Sequence, residues 1–188
     1  MLSKKMTLAV LCISALSVFP MCLALAQETL TFSDLRGAVI YTLVRYENVG
    51  SANDRPFRNV SETNQTITII SDQTATSTTV FKNNARQTSP IRSGSFALGK
   101  TYETQQGHHL WTFQDGELIH FQTFKAGGWR STITFTRNGD KSFGCKVRSI
   151  FLSESGVAGW NWTSPITGED IRMHSSRATY SSCQVTVS

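Results

Sequence analysis

The stretch His108–Leu152, HHLWTFQDGELIHFQTFKAGGWRSTITFTRNGDKSFGCKVRSIFL, decides the fold class. It holds four β-rich runs separated by turn pairs, Asp115-Gly116, Ala126-Gly127 and Asn138-Gly139. Asp-Gly favours a two-residue type I′ turn, which predicts Gln114 opposite Glu117, Phe113 opposite Leu118 and Trp111 opposite His120. Directly opposed residues share a face of the sheet. An Ala126-Gly127 turn would then set Phe124 opposite Trp129 and His120 opposite Ile133. In the third run Trp129, Ser131, Ile133 and Phe135 alternate with Arg130, Thr132, Thr134 and Thr136, which identifies the inward side.

The fourth run tests that assignment. A two-residue Asn138-Gly139 turn would oppose apolar Phe143 to outward Thr134, the wrong parity. The sequence therefore predicts a three-residue connection, Asn138 to Asp140, or an Asn-Gly turn with a one-residue bulge. Cys145 then points inward, opposite Ile133.

Outward from this stretch, the 188-residue chain opens with Lys4 and Lys5, an apolar run from Met6 to Leu25, and Ala24-Leu25-Ala26. That is the pattern of a cleaved secretory signal over 1–26, leaving 188 − 26 = 162 residues, 27–188, as a single all-β domain. Met21 precedes Cys22 where lipidation chemistry wants a small residue, so a lipid anchor is not expected. The remainder holds no apolar run long enough for a transmembrane helix. An exported, periplasmic or extracellular protein is the expectation. Removing the two leader lysines lowers the net charge from +5 to +3, too mild to mark a nucleic-acid partner. Cys145 and Cys183 remain after removal of the leader, and an even pair in an exported chain predicts one disulfide.

Val39 to Val44 is apolar on both faces and reads as a strand covered on both sides. Asn48 to Asn64 lacks periodicity and reads as a long surface loop, while Thr66–Ser71 and Ser77–Lys82 read as a hairpin. The chain ends in a strand over Arg177–Val187 with Cys183, Val185 and Val187 on one face. No eleven-residue window shows a capped 3.6 period, and no repeat is present. The expected fold is an antiparallel barrel or a two-layer sandwich made largely of hairpins, with one disulfide.

The inward face gathers aromatic rings with a few polar groups. Trp111, His120, Gln122, Trp129, Ser131 and Phe135 are the candidate ligand-binding residues, for a small apolar or amphipathic ligand or an envelope component. The competing reading is an ordinary packed core. Trp160 and Trp162 in GWNWT would share a side of an extended segment, as a surface platform or as a plug for one end of the core. A protein-interaction module using the 48–64 loop and a sheet edge is the alternative function.

Chemistry finds little footing. His108 and His109 are adjacent and would face opposite ways in a strand; His109 and His120 share a face, but no acid or thiol stands beside them, so no metal is assigned. The chain lacks a nucleophile elbow, HExxH, P-loop or GxGxxG, and no cofactor is implied. Asp115 and Glu117 flank a turn and read as surface residues, so the balance is against an enzyme.

Leu35-Arg36-Gly37 before the first strand, W-x-F-x-D-G from Trp111, the glycine pair before ITFTR, and Ser182-Cys183 together resemble a group of small exported bacterial proteins of unassigned function. The resemblance implies a fold and carries no functional residues. The chain also looks superficially like a calycin barrel, but Gly37 is followed by Ala38 and Val39 where that group has G-x-W, so ligand binding does not follow from it.

Overall fold

The structure, a computed structural model, describes residues 29–84, 86–87, 91–104, 107–124, 127–152, 160–163 and 169–187. The signal segment expected over 1–26 lies outside them. Among the described residues a short 3-10 turn, Ser33–Leu35, precedes twelve strands: β1 Ala38–Ala52, β2 Arg55–Ile69, β3 Thr74–Asn83, β4 Arg86–Gln87, β5 Arg92–Ala97, β6 Thr101–Thr104, β7 Gly107–Gln114, β8 Glu117–Phe124, β9 Gly127–Gly139, β10 Ser142–Leu152, β11 Trp160–Thr163 and β12 Asp170–Val187. They form two antiparallel sheets that do not close into a barrel, so of the two expected architectures the sandwich is the one realised. The larger sheet runs β11-β12-β1-β2-β3, with β4 and β5 both pairing with β3; the smaller runs β10-β9-β8-β7-β6.

The first hairpin of the smaller sheet follows the sequence expectation. Asp115 and Gly116 both have positive φ, 51° and 76°, and Gln114↔Glu117, Phe113↔Leu118 and Trp111↔His120 are opposed. The next register differs. Phe124 pairs with Gly127, Gln122 with Trp129 and His120 with Ser131, a slip of two residues that keeps His120, Gln122, Trp129 and Ser131 on their expected face. The cause lies at Gly128, where an added Cβ would sit 2.4 Å from the Gln122 carbonyl oxygen. The glycine is needed inside the ladder, opposite Thr123, and not in the turn.

The parity argument for β10 holds, with a different placement. Gly139 pairs with Ser142 across Asp140-Lys141, and one residue, Asn138, is extra before Arg137↔Phe143. The bulge brings Cys145 inward, opposite Phe135 and not Ile133, which faces Val147.

Two further expectations are corrected. The 48–64 segment is not a loop: Asn53 and Asp54 have φ of 46° and 63°, a type I′ pair, and β1 and β2 run paired from Ala52↔Arg55 to Val39↔Thr68. Its polar composition reflects a hairpin wet on one face. Nor is β1 covered on both sides. Its buried row is Ala38, Ile40, Thr42, Val44, Tyr46 and Asn48, whereas outward Tyr41 is 48% exposed. The region 83–102, without a clear period, contains the short strands β4 and β5 and the first half of β6.

The core lies between the sheets. Leu35, Ile40, Ile67, Ile69 and Leu118 are fully buried, with Phe96, Trp111, Ile133 and Phe135 around them. Phe32 closes one end against Phe113, ring centroids 5.4 Å apart, and Asp34 anchors that entry by accepting from Thr31 and pairing with Arg137 at 3.0 Å. Those bonds hold the Asp34 carboxyl below its ordinary pKa, the Thr31 backbone N–H foremost. Cys145 and Cys183 form the predicted disulfide, Cα–Cα 5.5 Å, tying the edge of the smaller sheet to the larger. Val185 and Val187 pack on the core as the last strand's pattern implied.

Candidate functional site

The inward faces of β5, β7 and β8 bring four rings into one column. Phe96 stacks on Trp111 at 4.1 Å and 10°, Trp111 on His120 at 4.0 Å and 4°, and His109 lies 5.2 Å from His120 at 14°. Strand alternation places His109 and Trp111 on one face, and the Asp115-Gly116 turn sets Trp111 opposite His120.

Hydrogen bonds fix the tautomers. The Thr104 hydroxyl donates to the Gly107 carbonyl, so it accepts from His109 Nε2–H at 3.2 Å. His109 Nδ1 is then an acceptor, and His120 Nε2–H donates to it at 3.0 Å. Both imidazoles are neutral in this arrangement. Burial pushes the His120 pKa down to about 3, and His109 adds to the effect. His109 is lowered first by burial and then by the charges of Arg92 and His108.

Beyond this column the inner surface remains hydrogen-bonding. Tyr46 meets Trp129 edge-on at 5.1 Å, and the Ser131 and Ser149 hydroxyls lie 2.9 Å apart. Burial raises the Tyr46 pKa against the opposing effect of its bond to Ser149. Asn48 donates to Asn59 and Ser61 and accepts from Ser176, so this buried amide is satisfied on both sides.

Of the candidate ligand-binding residues, Trp111, His120, Trp129, Ser131 and Phe135 therefore face inward together, with Gln122 on the same face of β8. Trp111 and His120 stack on each other, while Trp129 meets Tyr46, Ser131 meets Ser149 and Phe135 meets Phe113. Trp160 and Trp162 belong to β11, opposite Met173 and Ile171, and their side chains lie outside the described residues. Among the described residues no group of three His, Cys, Asp or Glu is placed to hold a metal ion.

Two open grooves lie elsewhere, and no local sequence pattern marks them as a site. A groove of about 420 Å³ follows the seam between β10 and β12, with the disulfide, Lys146, Arg148, Thr134 and Ser182 in its lining. A second, about 200 Å³, crosses the outer face of β12, β1 and β2 and includes Tyr41, Leu43, Asn64, Thr66, Gln184 and the same Ser182. The outward alternation of Lys146 and Arg148 is a readable signal, whereas the apolar character of Tyr41 and Leu43 gives them the look of covered residues.

The edge of β2 beyond β3 is blunted. In the β1–β2 hairpin the backbone groups of Pro56, Arg58 and Val60 point away from β1. Pro56 has no N–H, and Val60 exchanges bonds with Asn84, which donates to its carbonyl at 2.8 Å and accepts from its N–H at 3.3 Å. Little is left for an added strand.

Comparison with protein-family models, with curated proteins and with solved structures returned no match to this chain.

Proposed function

We propose that this is an exported binding domain that recognises an elongated polar ligand on the outside of its larger sheet, not in its interior. The observation that carries the reading is that the two grooves meet at Ser182, so one track runs from the β10–β12 seam across β1 to β2. The inner face, by contrast, is occupied by its own column of rings. The sheet fixes the track's side chains in register: Gln184, Tyr41 and Thr66 lie in one cross-strand row, Ser182, Leu43 and Asn64 in the next. A surface held by backbone ladders is preorganised for binding. The disulfide and the leader-like N-terminal segment support export.

Amide NMR shifts on titrating the mature chain with soluble oligosaccharides, and separately with decanoate as an amphiphile, test this. Shifts at Tyr41, Asn64, Ser182 and Gln184 are expected with the saccharides. Shifts at His109, Trp111 and His120 with decanoate, and none on the outer face with any saccharide, would overturn it.

A further inference from the structure

Charge along this track is uneven. At the β1–β2 end the row beyond Leu43 is neutralised: Glu62 takes Arg45 at 2.9 Å and Lys82 at 3.6 Å, and it also accepts from Asn64. These bonds, with Asn64 the largest contributor, hold Glu62 below its ordinary pKa. At the seam the situation is the opposite. Lys146 and Arg148 project outward from β10 and are exposed, and among the described residues neither is in an ion pair. Thr134 brings one acid to this end, since its hydroxyl donates to Glu117, so two cations stand against one carboxylate.

We infer that the track binds an acidic oligosaccharide, with Lys146 and Arg148 taking its carboxylate or sulfate groups and Tyr41 stacking on a sugar ring. This rests on the outer-face reading above. The disulfide holds β10 within 5.5 Å of β12, and β1 is one strand further, so the cations and Tyr41 stand roughly 10 Å apart across the strands. A ligand must be more than one ring long to touch both. Between them Gln184 and Asn64 offer amides and Thr66 and Ser182 hydroxyls, groups that both donate to and accept from sugar hydroxyls. A nucleic acid fits less well, because its affinity comes from many phosphate contacts and the lining of the two grooves offers two cations, Lys146 and Arg148, and one exposed ring, Tyr41.

The test uses the mature chain and fluorescein-labelled hexasaccharides: a polyuronate, and neutral cellohexaose as its uncharged counterpart. The polyuronate is expected to bind at least about tenfold tighter, to weaken as salt rises, and to lose about tenfold in affinity on Lys146→Gln/Arg148→Gln. Tyr41→Ala should weaken both sugars alike. The substituted side chains are exposed, and unchanged thermal midpoints would confirm that the variants fold. Equal affinity for both sugars, with outer-face shifts and no effect of the charge variants, would overturn the acidic specificity and leave the outer-face reading standing. An oligonucleotide binding more tightly than the polyuronate would overturn the saccharide assignment. Absence of outer-face shifts with every probe would remove both.

Discussion

His109 Nδ1 accepts a hydrogen bond from His120 Nε2 at 3.0 Å, inside a stack that continues through Trp111 to Phe96. Protonating His120 would put a charge in that stack, which is why its pKa falls to about 3. In the unfolded chain the same group titrates near 6.5. Between these values the unfolded chain binds the extra proton, so stability is complete above about pH 6.5 and is lost as pH falls. From about pH 6 to pH 4 the loss attributable to His120 should be about 1.4 kcal/mol per pH unit. Asp34 and Glu62, whose lowered pKa values also cost stability in acid, enter below that window. Urea titrations at pH 7, 6, 5 and 4.5 on the protein and on His120→Phe, which keeps a stacking ring, would measure it. The variant should show a visibly flatter dependence; an unchanged slope would assign the acid sensitivity elsewhere.

Two strand glycines make opposite demands. An added Cβ at Gly128 would press on the Gln122 carbonyl oxygen, whereas at Gly94 nothing lies within 4 Å. Gly128→Ala should destabilise by about 1–3 kcal/mol, the range for forced overpacking. Gly94→Ala should stabilise by about 0.4–1 kcal/mol through the unfolded chain. Thermal melts of the two variants check both signs together. A neutral Gly128→Ala would contradict the reason given for the β8–β9 register.

The Cys145–Cys183 bridge closes a loop of sequence separation 38. The chain-entropy relation gives about 4 kcal/mol for such a loop, within the usual 2–5 kcal/mol for loss of a native disulfide. Cys145→Ser/Cys183→Ser should therefore lower the denaturant midpoint strongly. Hydrogen exchange should rise first in β10 and the adjoining part of β12, because the bond spans the line where the sheets meet without a shared ladder. Exchange rising uniformly would show that the bridge acts only on the unfolded chain.

Much of the smaller sheet was legible because its signals are local: an Asp-Gly turn, and apolar residues alternating with arginine and threonine, state both register and face. The β8–β9 slip was not, since the steric need for Gly128 beside Gln122 exists only once the strands are paired. In the larger sheet Asn53-Asp54 looked like one more polar pair in a polar stretch, although both residues adopt the positive φ of a tight turn. The outer grooves are not legible in the sequence for a different reason. They are assembled from β1, β2, β10 and β12, and no local pattern announces that Lys146 and Tyr41 line two grooves that share Ser182.

The pairing of the first strand with the last sets the order in which the molecule can be built. β1 gains β2 as soon as the Asn53-Asp54 turn closes, yet its other neighbour is β12, with Ala38 opposite Val187. Until the eighteen residues of β12 exist, one whole edge of β1 stands open and the row of Ile40 and Val44 lacks its cover from Val185 and Val187. Hairpins can form as the chain emerges, but the larger sheet and the disulfide are completed only after β12 has been made, which makes closure a long-range event.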